Sequence, residues 1–262
     1  MKPGFVIRIA TALGAVILSV PTLVIVVASF GAGKNIVFPP RDWTLARYVE
    51  LAGDPVMRQA FFNSLYVGVE SALIGLLVGI PAIIALHRHR LRLRTFLNGF
   101  LALGFAAPLI VSGIAFLVLF TSLGVVNFLS TVGVALAVIN LPFMLWAGAA
   151  SAAGHNPELE EAAETLGAEE IQRFLFVTLP GLAPGILTGA LLMFVFGITE
   201  FLVSLMLVNV HTLTLPVHIF GSIRQNMSPV LAASGVLYIV ISAAVLGLIV
   251  RIGKIEQFLR RE

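Results

Sequence analysis

Residues 95–157 run for 63 positions without one Asp, Glu, Lys or Arg. A water-soluble domain carries roughly 25% charged residues over its surface. Here charged residues make up 11% of the whole chain and hydrophobic ones 59%. Such a stretch needs lipid on its outside, so the chain reads as an integral membrane protein. A helix crosses the hydrocarbon core with about 20 apolar residues, and the uncharged block therefore holds two crossings and a turn. "TSLGVVNFLS" at 121–130 supplies the reversal through Gly124 and Asn127, residue types that tolerate turn backbone. No ten-residue run alternates in polarity, which argues against the strands of a membrane barrel.

Equivalent runs along the chain give an all-α protein with six spans, near 9–30, 63–86, 96–122, 131–153, 182–208 and 229–250, in a single transmembrane domain over 1–262. An even number puts both termini on one side. That side collects eleven Lys and Arg residues against five on the other, so both termini and the 154–181 connection are expected in the cytoplasm. The first apolar run is too long for a cleaved signal peptide and reads as a retained anchor. Basic residues sit between apolar runs rather than on one face. Membrane lipid, not nucleic acid, is the partner they suggest. The chain has no Cys, which excludes disulfides and thiolate metal sites. His211 and His218, seven apart, lack the close convergence of a metal site and read as loop histidines.

Against this background one segment stands out. Six of the chain's thirteen acidic residues (Glu158, Glu160, Glu161, Glu164, Glu169 and Glu170) fall between 158 and 170. Asn156-Pro157-Glu158 has the signature of a helix start: a capping side chain, proline at the first helical position and a carboxylate near the positive end of the dipole. Leu159, Ala162, Ala163 and Leu166 then share one face, with the acids on the other. Gly167 suits a left-handed C-cap. A second short helix is expected over 168–176, before Leu179-Pro180 and a fifth span introduced by Pro184. Acids gain nothing from an anionic inner leaflet. They make sense beneath a basic protein surface, with alanines allowing close approach. The other physical reading is a solvated hairpin whose apolar face rests on the bundle.

Glu161-Ala162-Ala163, Gly167 four positions later, and Val177-x-Leu179-Pro180 reproduce the spacing of the EAA loop of ABC importer permeases, with Val177 in place of the usual Ile. "FFNSLYVGVESALIGLLVGIPAIIALHRHR" and "TLPVHIFGSIRQNMSPVLAA" further resemble the polyamine, opine and aminophosphonate branch of that family. The resemblance implies the type I importer fold: two permease subunits forming the pore, this chain and a second, different one, above an ABC ATPase dimer. An extracytoplasmic substrate-binding protein would deliver the cargo. It also implies that Glu161 pairs with a basic residue of the ATPase. Ala162 and Ala163 would pack closely on it, Gly167 would set the turn, and Leu179 and Pro180 would join the loop to the fifth span. The chain itself would bind no cofactor, and Mg-ATP would belong to the partner. Consistent with that, Gly33-Lys34 and Gly253-Lys254 lack the upstream glycine and the hydroxyl residue of a phosphate loop.

Glu70 and Glu200 fall within expected spans, where a carboxylate costs at least ~2 kcal/mol on insertion scales. Each reads either as a carboxylate on a cation's path or as a hydrogen-bonded group holding helices together. Asn63, Asn98 and Asn140 read as interhelical hydrogen bonders. A secondary carrier would need inverted repeats and broken helices at matching places. A membrane enzyme would need a nucleophile–base or metal pair. The sequence offers neither pattern, and the expected function is transport of a small organic amine, with polyamines favoured over opines, aminoalkylphosphonates and ferric iron.

Overall fold

In a bilayer each backbone N–H and C=O must find a partner within the protein, and these apolar runs satisfy that demand as helices. The computed structural model describes residues 3–88, 107–225 and 228–259. In chain order the helices are α1 (Pro3–Ala28), α2 (Ala46–Gly53), α3 (Pro55–Arg88), α4 (Leu109–Ser122), α5 (Leu129–Ala153), α6 (Glu158–Thr165) and α7 (Glu170–Arg173). A π turn (Phe174–Thr178) follows, then α8 (Leu179–Thr199), α9 (Leu202–Leu207), α10 (Leu215–Gln225) and α11 (Pro229–Leu259). Among the described residues, five helical stretches are long and apolar enough to cross a membrane: Ile7–Ala28, Pro55–Ala85, Leu129–Ala153, Glu170–Thr199 and Pro229–Ile252. Within the expected span 96–122 the described residues form the shorter apolar α4, and residues 96–106 lie outside the described set.

The helices group into two compact units. One comprises Met1–Ala60 and Leu215–Ala243. Its α1 is exposed over nearly all its apolar surface, Leu18 to 80%, as suits a helix bathed in lipid or a partner. Past the end of α1, the Ser29 and Tyr48 hydroxyls meet at 2.7 Å. The Arg47 guanidinium gathers the carbonyls of Gly31, Ala32 and Gly33 and pairs with Glu50. Thr44 Oγ1 accepts the Ala46 N–H at 3.0 Å, capping α2.

The other unit comprises Phe61–Thr214 and Ala244–Glu262. Its centre is the pairing of α5 with α8. Glycines bring the two backbones together: a Cβ on Gly189 would lie 2.7 Å from Met144 Cα, and one on Gly185 2.4 Å from the Ala147 carbonyl oxygen. Small residues at the contact are how membrane helices approach closely, since lipid supplies no hydrophobic drive between them. Met144, Leu182 and Met193 fill one end of the core, and Val132, Leu136 and Val203 the other. Between α4 and α5 the chain reverses through Gly124 (φ +69°) and Asn127 (φ +84°), both left-handed as expected.

Two expectations are corrected. The fifth span is not one helix over 182–208. α8 ends at Thr199, the backbone is extended at Glu200 (ψ 132°), and α9 begins at Leu202. The Glu200 side chain offers backbone N–H groups an acceptor outside the helical ladder, which favours a break there. Nor does a linker separate the second loop helix from the fifth span. Glu170–Thr199 is continuously helical, with the π turn upstream of Pro180. In regular α register the Pro180 ring would meet the Phe176 carbonyl, and the wider i→i+5 turn, closed by Leu179 N–H to the Phe174 carbonyl, relieves that clash. Other boundaries shift outward: α3 starts at Pro55, and α11 runs to Leu259.

Candidate functional site

The acidic loop begins with an Asx turn, in which Asn156 Oδ1 accepts the Glu158 N–H at 3.1 Å. Glu158, Glu160 and Glu161 occupy the first turn of α6, where the helix dipole favours negative charge. The helix closes in a Schellman motif. Gly167 N–H reaches the Glu164 carbonyl at 2.9 Å and Ala168 N–H the Ala163 carbonyl at 3.0 Å. Gly167 sits at φ +87°, a conformation that penalises any residue with a Cβ. Glu169 and Gln172 then form a reciprocal capping box for α7.

The apolar face of α6 is largely uncovered in the single chain, with Ala163 half-buried. Leu166 is 88% exposed, with Leu159 exposed too, and Ile171 and Phe176 beyond them are 69% and 76% exposed. The inward side is instead polar. Thr178 Oγ1 donates to Glu160 Oε1 at 2.7 Å, and His155 Nε2 lies 3.5 Å from the same oxygen. Arg173 pairs with Glu164 and ties α7 to α6. Glu161, Ala162 and Gly167 face outward, Ala163 is half-buried, Leu179 is half-buried and Pro180 exposed. The loop thus presents a small apolar knob edged by carboxylates.

Glu200 occupies the break in the fifth span. Its carboxylate accepts the Val203 N–H at 2.9 and 3.0 Å and the Ser204 N–H at 3.0 Å, capping α9. A cavity of about 430 Å³ lies alongside, lined by Asn140, Phe143, Phe196, Thr199, Glu200 and Phe201 among others. Phe143 and Phe196 stack there with centroids 4.3 Å apart. Asn140 is not the interhelical hydrogen bonder expected, because its Nδ2 is buried with no hydrogen-bond partner among the described residues. Asn63 does bridge, from Nδ2 to the Leu213 carbonyl at 2.8 Å. Asn98 lies outside the described residues. Glu70 does not line this cavity. Its Oε2 is buried so close to α5 that a Cβ on Gly133 would come within 2.0 Å of it.

Residues 75–254 match the family model of the binding-protein-dependent transport system inner membrane component. The chain belongs to this family of ABC importer permeases. Among curated permeases it is similar to the ABC transporter permease protein ORF1 of Streptomyces antibioticus, 33% identical over 74% of this chain and 87% of that one. It is 28% identical to the spermidine/putrescine permease PotC of Escherichia coli K12, over 86% of this chain and 85% of PotC. The molybdenum permease ModB of Mycobacterium tuberculosis is 30% identical over 79% and 83%. In fold the permease resembles a bacterial ABC transporter involved in alginate import, with a TM-score of 0.72 at 20% identity over 95% of both chains.

Within the permease, the structure gathers the predicted loop residues on one projecting element and leaves the two membrane carboxylates in different places. Two participants escaped the sequence reading. His155 and Thr178 meet the acidic cluster at Glu160 although the three span 155–178. The one available signal was a hydroxyl residue inside an otherwise apolar "FLFVTLP" run.

Proposed function

We propose that this permease forms half of a translocation pore for a small organic amine, with polyamines such as spermidine and putrescine favoured. A different permease supplies the other half, an ABC ATPase dimer hydrolyses Mg-ATP below, and a binding protein delivers the cargo from outside. The projecting loop carries the reading. Its exposed Leu166, Ile171 and Phe176 beside the outward Glu161 give a knob suited to a groove with basic edges, and its alanines permit close seating. In this role Glu161 pairs with a basic residue of the ATPase, Ala162 and Ala163 pack against it, Gly167 fixes the turn, and Leu179 and Pro180 join the loop to the fifth span.

The cargo assignment rests on Glu200. A carboxylate beside stacked aromatic faces is chemistry that favours a cation, through charge and through the ring quadrupoles. It disfavours an anionic cargo. Ferric iron follows the same charge logic, whereas opines and aminoalkylphosphonates pair an amine with an anionic group and suit the carboxylate less well. The deciding experiment is a native pull-down with mass spectrometry, followed by uptake of radiolabelled spermidine, putrescine and molybdate into proteoliposomes holding the recovered complex. Recovery of an ATPase and a second permease, with amine uptake alone, is the expected result. The chain alone, under conditions where other complexes survive, would overturn the importer partners; molybdate uptake would overturn the cargo.

A further inference from the structure

The acids of the loop differ in what they touch. Glu161 is outward and exposed. Glu164 is taken by Arg173, and Glu169 by the α7 capping box. Glu160 points inward, its side chain only 19% exposed. Oε1 of Glu160 accepts the hydroxyl of Thr178, which is 1% exposed, and lies beside the His155 ring, whose side chain is 4% exposed. Thr178 closes the π turn that runs without a break into α8, and His155 stands two residues past the end of α5. One carboxylate oxygen therefore joins the acidic helix to the ends of both the fourth and the fifth span. Room for the ring comes from Gly181, where a Cβ would lie 2.4 Å from His155 Nδ1.

We infer that Glu160 is a positioning residue, the strut that passes displacement of α6 to α5 and α8, with Thr178 as its seat on the fifth span. The inference rests on the coupling role proposed above for the same loop, and separates two acids that sit side by side in sequence: Glu161 faces the partner, Glu160 faces the permease. A backbone connection alone would transmit little, because the left-handed Gly167 lies between α6 and α8 and a short coil precedes α6. The π turn fits this role. It places Thr178 inward while Phe176, two residues earlier, remains 76% exposed.

The test uses the whole transporter, this chain with its ATPase, second permease and binding protein, in nanodiscs. The chain has no Cys, so Leu187→Cys on the exposed side of α8 gives it a single site for a bimane label, in partners freed of reactive thiols. Mg-ATP with vanadate is the probe, which requires no knowledge of the cargo. The unsubstituted strut should give an emission shift on nucleotide trapping. Thr178→Val, which keeps shape and removes the hydroxyl, should lose that shift while the ATPase still copurifies at the same yield. Thr178→Ser should restore it. Glu160→Gln, which keeps an acceptor, should fall between, and Glu160→Ala should match Thr178→Val. A full shift in Thr178→Val and Glu160→Ala overturns the strut, as does an intact transporter with no shift at all. Loss of the ATPase from Glu160→Ala would make Glu160 a docking acid instead. A chain that copurifies no ATPase before any substitution overturns the coupling reading, and this inference with it.

Discussion

The Glu200 carboxylate accepts the Val203 N–H through both of its oxygens, at 2.9 and 3.0 Å. One side chain thus interrupts the fifth span, caps the helix that resumes it and lends its charge to the adjoining cavity. These roles separate by substitution. Glu200→Gln keeps an acceptor for the cap and removes the charge. We expect normal membrane insertion and amine uptake reduced about tenfold or more, the weight of a hydrogen bond to a charged group. Glu200→Ala should in addition lose ~1 kcal/mol of stability with the cap, seen as a lower melting temperature. Uptake in Glu200→Gln equal to the parent would reduce the residue to a cap.

Gly167 and Glu161 test the loop's outer face. Gly167→Ala forces a Cβ into φ +87°, at roughly 1–2 kcal/mol, and should misplace the turn without affecting extraction or oligomeric behaviour of the permease. Gly167→Pro, whose ring cannot adopt that φ, and Glu161→Lys should each abolish transport. Counting ATPase recovered per permease on a stained gel checks the cause. Transport at parental rates in both would sink the docking role.

The contact between Glu70 and Gly133 makes a prediction about packing. A methyl group at 133 would collide with the carboxylate, so Gly133→Ala should destabilise the permease by about 1–3 kcal/mol, as overpacking does. Shortening the opposing side chain should relieve the collision. In a double-mutant cycle with Glu70→Ala, the combined variant is then more stable than the sum of the single effects, and additive effects would remove the contact.

Gly181→Ala should act through His155, whose ring its methyl displaces. Hydrogen exchange at Glu158–Thr165 should quicken by about several-fold, since local opening follows the loss of a few anchoring contacts. Unchanged exchange would show that the ring contributes nothing to holding α6.

Much of the described architecture was legible in residues 107–157 and in the acidic cluster, because both rest on local rules. A charge-free run long enough for two crossings leaves few options, and Gly124, Asn127 and Gly167 adopt the left-handed backbone their residue types suggested. What escaped depends on residues distant in sequence or on competition within a helix. Glu200 read as a mid-span carboxylate because apolar periodicity continues through "FGITEFLVS"; nothing local says that its side chain will outcompete the ladder for Val203 and Ser204. Asn140 read as a bridge because a buried amide usually finds one, and it instead faces the Glu200 cavity. The inward turn of Glu160 could not be separated from the outward turn of Glu161 until Thr178 was placed. A helical wheel assigns faces, but it does not say which face meets protein.

Leu166, Ile171 and Phe176 are largely exposed in the single chain. With the loop docked as proposed, an unpartnered copy differs from an assembled one by surface as well as by activity, and bears the kind of greasy projection that quality-control proteases and chaperones bind. Its lifetime in the cell should follow the supply of whatever covers that projection, so that subunit numbers balance by degradation rather than by matched synthesis.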